Sequence, residues 1–269
     1  MNMETLFNQN ELPFQALETL GLSVDADMLL DSMDLKALLA GRRTGLLSLS
    51  GLSTEQFQIE RLDARLSLLR NPKGEVELRL HPIYKNVQGH PLLSGQEVAL
   101  LSSGKKDVVQ KGFQDSNGGT SLMNFEYDAL TKDFITYFPD EVQAPDFVNG
   151  HPLSAEQQVS FKRGEVLEIS DGIRLQHRAS EPKGLLSDRA ALVLSILVDG
   201  GLSYLLIRGI RSIKGEEGQQ VDYNTPAYQR AFSDMQRSLQ QDGPSNFGQM
   251  PGSEGSAEQS KGRGPSHSR

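Results

Sequence analysis

GHPLLSGQEVALLSSG, residues 89–104, and GHPLSAEQQVSFKRG, residues 150–164, say nearly the same thing about sixty residues apart. In each stretch Gly-His-Pro reads as a turn. Ser94 or Ser154 then reads as an N-cap, its hydroxyl accepting an otherwise unpaired N–H of the first helical turn. Gln96 and Gln157 stand near capping-box distance. Gly104 or Gly164 supplies a left-handed stop. A short strand follows each helix, DVVQ at 107–110 and VLEI at 166–169. Each copy then holds a hairpin-like segment. In the first it is MNFEYDALTKDFITYF at 123–138, turning at LTKD; in the second it is ALVLSILVDGGLSYLLI at 191–207, turning at Asp199-Gly200. A unit of this size buries only about 60% of its unfolded surface, so two copies are expected to pack together or continue one sheet. The nearly continuous apolar run of the second copy suits strands covered on both faces.

Upstream, QFQIERLDARLSLLRNPKGEVELRLHPI at 56–83 alternates in period two, and NPKG supplies Pro72 and Gly74 for a turn. This predicts a β-hairpin over Arg61–Arg70 and Glu75–His81. Before it, Leu17 and Leu20 lead to a stop at Gly21. Ser23 is read as the cap of a helix over VDADMLLDSM, with Asp25 and Asp27 in its first turn, and Asp34 as the cap of LKALLA. Met28, Leu29, Leu35, Leu38 and Leu39 are its expected buried face. Downstream, Thr225-Pro226 opens an amphipathic helix whose Tyr228, Phe232, Met235 and Leu239 recur at helical spacing. Its apolar face is expected to dock on its own sheet or on a partner. The expected fold is α+β. A helical and β-hairpin N-terminal domain (1–88) precedes two related αβββ units (89–145 and 146–215), an amphipathic helix (216–243) and a tail (244–269) too polar to bury a core.

The 269 residues hold no cysteine and no tryptophan, 27 basic and 35 acidic side chains, and a net charge of -8. The lack of cysteine excludes disulfides, thiolate zinc sites and cysteine nucleophiles, and fits a cytoplasmic setting. MNMETLFNQNELPF lacks the basic and apolar regions of a signal peptide. The most apolar stretch, Arg189–Ile210, is broken by Asp199-Gly200-Gly201 and predicts a buried hairpin rather than a membrane span.

No catalytic motif appears. The five histidines, His81, His90, His151, His177 and His267, show no metal-binding spacing, and no metal or other cofactor is expected. There is no G-x-S-x-G elbow. GRRTGLLSLSG at 41–51 lacks the P-loop pattern. Asp63 and Glu77 are a candidate carboxylate pair across the hairpin, and an enzyme of unfamiliar type would require a pocket joining one of them to His81. The basic residues form one cluster: Arg61, Arg65, Arg70, Lys73, Arg79 and Lys85 on the hairpin, with Arg42 and Arg43 upstream. It is the candidate surface for nucleic acid or an acidic partner, set against an acidic whole that disfavours general phosphate binding. Tyr228, Phe232, Met235 and Leu239 are the candidate partner-helix residues.

From Leu20 to Tyr204 the chain resembles a pair of tandem domain families of unknown function from Bacteroidetes, often encoded on conjugative elements. The most specific part is DARLSLLRNPKGEVELRLHPI at 63–83. The repeated Gly89–Gly104 and Gly150–Gly164 units and DALTKDF at 128–134 follow in the same order. RASEPKG at 178–184 is a looser match, and Phe161 replaces a leucine. Some members lie beside or are fused to topoisomerase-like proteins. The resemblance implies a non-catalytic accessory role in mobile-element or DNA metabolism, with protein or DNA as partner, and transfers no catalytic residue.

Overall fold

The computed structural model describes residues 5–24, 27–53, 58–114, 119–198, 201–213 and 225–241. The predicted tail and the Asp199-Gly200 turn lie outside them.

The N-terminal region places two short helices, α1 (Phe14–Thr19) and α2 (Ser32–Leu39), on a three-stranded antiparallel sheet. Gly21 takes φ +70 where α1 stops. The expected helix at Ser23 does not form: β1 (Ser23–Val24) pairs with β2 (Asp27–Met28) instead, and Leu29 is exposed. Ser23 is buried in β1, and its hydroxyl donates to Phe14 O at 3.4 Å instead of capping a helix. The cap of α2 is Asp31, whose carboxylate accepts Asp34 N at 2.7 Å. Asp34 is buried and accepts Gly45 N.

The predicted hairpin is present as β4 (Gln58–Arg70) and β5 (Val76–Pro82), and Gly74 turns at φ +84. A strand that the sequence reading missed, β3 (Leu47–Ser53), completes the order β3-β4-β5. Its alternation is broken by Gly51, which takes φ +68. Leu66 and Leu68 of β4 with Leu78 and Leu80 of β5 pack against Leu17, Leu38, Phe7 and Leu12. The opposite face of the sheet carries Arg65, Ser67 and His81, because side chains alternate along a strand.

Two segments with the same order of elements follow. The first runs α3 (Gly95–Ser102), β6 (Val108–Gln114), β7 (Thr120–Asp128) and β8 (Asp133–Tyr137), the strands forming a β6-β7-β8 meander. After the short hairpin of β9 (Phe147–Val148) and β10 (His151–Pro152), the second runs α4 (Ala155–Lys162), β11 (Leu167–Ile169), β12 (Ile173–His177) and β13 (Leu185–Ser187). Both helices start in a capping box, Ser94 with Glu97 and Ser154 with Gln157. Glu97, not Gln96, closes the first, since the box requires the third helical position.

The hairpin assigned to the second copy is an addition. β14 (Ala191–Val198) and β15 (Gly201–Arg208) form a separate sheet, β10-β9-β14-β15, and the copy's own hairpin is β12-β13. Its even-numbered β14 residues Leu192 and Leu194 join Phe161, Leu167, Ile173 and Leu175 in the largest core cluster. Its other face is covered by α5 (Pro226–Gln241), capped by Thr225, through Tyr228, Ala231 and Phe232 against Ala191 and Val193. β14 is almost continuously apolar because both of its faces are covered, whereas β15 is largely half-buried.

Gly104 and Gly164 end α3 and α4 at φ +68 and φ +73, yet their surroundings differ. A Cβ on Gly104 meets nothing within 4 Å, whereas one on Gly164 would lie 2.6 Å from Tyr137 Oη and 2.9 Å from Val108 Cγ2. Gly104→Ala should cost about 1 kcal/mol, the left-handed penalty alone. Gly164→Ala adds an overpacking cost of about 1–3 kcal/mol. Urea unfolding of both variants checks the difference.

Candidate functional site

β7 presents Met123, Phe125 and Tyr127 to α3 and, on its other face, Asn124, Glu126 and Asp128, all three buried. Each of these polar residues fastens a different part of the chain. Asn124 Nδ2 donates to Arg163 O at the end of α4 at 3.0 Å. Glu126 accepts Ala179 N and Ser180 N, both at 2.9 Å, and pairs with Arg178 Nε at 3.0 Å. Asp128 Oδ2 accepts Arg43 Nη1 at 2.8 Å and Arg65 Nη1 at 2.9 Å.

Arg43 is fully buried. It also donates to Thr131 Oγ1 and Phe134 O at 2.8 Å and reaches Asp133 Oδ2 at 3.2 Å. Its own backbone N–H donates to Ala179 O at 3.1 Å. Arg42 beside it donates to Pro182 O at 3.2 Å. The GRRTG segment thus pins the N-terminal sheet to both following segments. Burial raises the Asp128 carboxyl, but Arg65 and Arg43 outweigh it and hold the group below the ordinary carboxylate range.

One line of groups in this joint has the shape of a catalytic relay. Ser67 Oγ lies 2.8 Å from His81 Nε2, and His81 Nδ1 lies 3.1 Å from Asp133 Oδ2. Arg43 Nη2 also lies 3.1 Å from Nδ1. A carboxylate is the stronger acceptor, so we assign the Nδ1 proton to the Asp133 bond, which leaves Nε2 to accept from Ser67. Burial pushes the His81 imidazole below its ordinary value, and the Asp133 hydrogen bond offsets this only in part. Burial thus favours the neutral imidazole.

The remaining parts of an acyl-transfer site do not converge here. Leu66 exchanges main-chain and side-chain bonds with Thr44, so the Ser67 N–H turns the other way and enters the ladder with Arg79. It is not aimed at a reacting carbonyl, as an oxyanion donor must be. Arg43 already neutralises the carboxylate that would stabilise an imidazolium. Two surface hollows, one lined by Pro13, Phe14 and Thr19 and the other by Leu197, Leu202 and Asp234, lie on other elements. Among the described residues no three His, Asp or Glu side chains gather as metal ligands, and no helix is long and apolar enough to cross a membrane.

The basic cluster divides. Arg61, Arg65 and Arg79 share one sheet face, but Arg65 is buried in the joint with Arg43. Arg61 pairs with Asp63, Arg79 with Glu77 and Arg70 with Glu11, at 2.9–3.1 Å. Lys73 sits exposed in the turn, and Lys85 is exposed with its carbonyl accepting Lys132 Nζ. Asp63 and Glu77 do not face each other, because Glu77 stands opposite Leu69. The partner of His81 is Asp133, the first residue of β8, more than fifty residues away. In α5, Tyr228 and Met235 are buried, and Phe232 and Leu239 are partly so. Sequence reading missed Asn124, Glu126 and Asp128: polar residues alternating with apolar ones read as a solvent face.

A family model described as a protein of unknown function (DUF4099) matches residues 7–91. No curated protein and no solved structure matches the chain. The matched residues include Arg43, Arg65, Ser67 and His81, and stop before Asp128, Thr131 and Asp133.

Removing one member of a buried ion pair typically costs about 3–5 kcal/mol. Arg43→Met should cost that much. Asp128→Leu, which strands two arginines, should cost at least as much. The double variant should fall short of the sum by more than about 1 kcal/mol, as for residues in one network. A urea double-mutant cycle checks this.

His177 is buried against the rings of Tyr137 and Phe161 at 5.2 and 5.5 Å. Burial holds its imidazole down from 6.5 to about 4. Between those pH values the unfolded chain binds the proton and the folded one does not. This contribution is complete above pH 6.5 and is lost as pH falls toward 4. The loss is roughly 3 kcal/mol. His177→Phe should flatten the stability profile in that window.

Proposed function

We propose that this is a non-catalytic binding protein, an accessory rather than an enzyme. One observation carries the reading: the side chains best suited to chemistry, Arg43, Arg65, Ser67, His81, Asp128 and Asp133, all engage one another across a buried joint. The joint holds segments in place and leaves their outer surfaces for a partner. A role in mobile-element or DNA metabolism is part of this proposal and rests on the family resemblance alone, and a cytoplasmic setting is proposed with it from the lack of cysteine. Protein is the favoured partner over nucleic acid, because the basic residues left at the surface are mostly paired with carboxylates.

The Ser67–His81–Asp133 line favours a second reading, a serine hydrolase, and one experiment separates the two. The intact protein is treated with a fluorophosphonate probe alongside Ser67→Ala. The accessory reading expects no Ser67-dependent labelling; labelling that Ser67→Ala abolishes would replace it with the hydrolase. DNA affinity that falls steeply between about 50 and 200 mM salt would return the exposed basic residues to the interface.

A further inference from the structure

Long, uncharged, regular edge strands invite pairing with another chain, and proteins blunt them with charges, proline, bulges or brevity. The edges here carry such devices, with one exception. β10, β11 and β13 have two or three residues. β3 contains Gly51 at φ +68. β5 carries Glu77 and Arg79 and ends in Pro82. β6 carries Lys111 and Gly112. β8 backs onto the joint, its Phe134 O bound by Arg43. β15, Gly201–Arg208, is eight residues without proline, lysine or bulge, its one charge at the last position.

Its outward main-chain groups follow from its neighbours. Asn149 N donates to Val193 O and Asp146 N to Ser195 O, so the odd positions of β14 turn toward β9. The even positions Leu192, Leu194 and Ile196 therefore turn toward β15, opposite Ile207, Leu205 and Ser203. Leu202, Tyr204, Leu206 and Arg208 are left with N–H and C=O groups pointing off the sheet, with no partner strand among the described residues. α5 packs over β14 and reaches the face of β15, where Tyr204 and Leu206 meet its apolar cluster and Arg208 lies over Phe232, but it adds no strand to the edge.

We infer that β15 pairs antiparallel with β15 of a second copy about a two-fold axis at Leu205, joining two four-stranded sheets into one. The strand fits itself. Tyr204 would stand opposite Leu206, Leu202 opposite Arg208 and Ser203 opposite Ile207. Outward main-chain groups meet outward groups, and each side chain meets one on its own face. Aromatic–aliphatic pairs of this kind are favourable, and no like charges oppose. Leu202, which is 39% exposed, would lie across the seam from the stem of Arg208, whose guanidinium stands over Phe232 of its own copy at 5.9 Å. A two-fold contact of this kind closes on itself as a dimer.

The test is sedimentation equilibrium of the full chain from about 5 to 200 µM, a range that reveals a micromolar dimer. Leu202→Lys and Leu202→Glu are measured beside it. The register places residue 202 opposite Arg208 of the other copy, so lysine should weaken the dimer at least tenfold, while glutamate should leave it unchanged or tighter. Tyr204→Pro, which deletes one outward N–H and spares the β14 ladder, should also dissociate it. If that variant fails to fold, the exposed position 202 decides. A wild-type chain that stays monomeric throughout, or lysine and glutamate variants that behave alike, would overturn the inference.

Discussion

Asp128 receives two arginines in the protein interior, and the arrangement of three segments of the chain depends on that meeting. Arg43 comes from the loop after α2, Arg65 from the middle of β4, and Asp128 from the end of β7. None of the three can be buried without the others, because an isolated charge loses several kcal/mol of hydration that only its partners replace. Apolar contacts tolerate sliding, whereas a carboxylate between two guanidinium groups does not. The joint therefore contributes more to register between segments than to net stability.

The same division of labour recurs along the chain. The first two three-stranded sheets each give an apolar face to their own helices and a polar face to a neighbour. β4 and β5 turn leucines to α1 and α2 and Arg65, Ser67 and His81 to the next segment. β7 turns aromatic residues to α3 and Asn124, Glu126 and Asp128 outward to α4, the 178–180 loop and the N-terminal sheet. Charge is sorted accordingly. The acidic row lies on β7 and the arginines that meet it, Arg43, Arg65 and Arg178, come from either side. The local cores are built from sequence-near contacts, and the polar faces fix how those cores sit against one another.

This ordering explains what the sequence disclosed. Local signals were legible: the serine caps before α3 and α4, the glycine stops after them, NPKG between β4 and β5, and Thr225-Pro226 before α5. Each is settled by a few adjacent residues. Ser23 misled because its hydroxyl is satisfied by Phe14 O, nine residues upstream, and not by the first turn of a helix. The joint was illegible because alternation along MNFEYD states that one face is polar without stating whether water or arginine meets it. Arg43 carried no periodic signal, lying in a loop. His81 was noticed, but its partner was sought on the same hairpin, and the fold supplies Asp133 from another sheet.

The boundary of the family match bears on the same point. Residues 7–91 contain the basic half of the joint, and the carboxylates that satisfy it lie beyond residue 91. Cut there, Arg43 would lose Asp128, Thr131, Asp133 and Phe134 together, leaving its guanidinium only His81 among the groups it now meets. The leucine core over α1 and α2 is self-contained, but the opposite face of its sheet is not. A segment with one satisfied face and one cationic, hydrogen-bonding face is built to be completed by an acidic partner. In this chain that partner is the β7–β8 turn, held in place as part of the same molecule. The matched segment and the strand pair that follows it thus complete one buried network, neither half of which is satisfied alone.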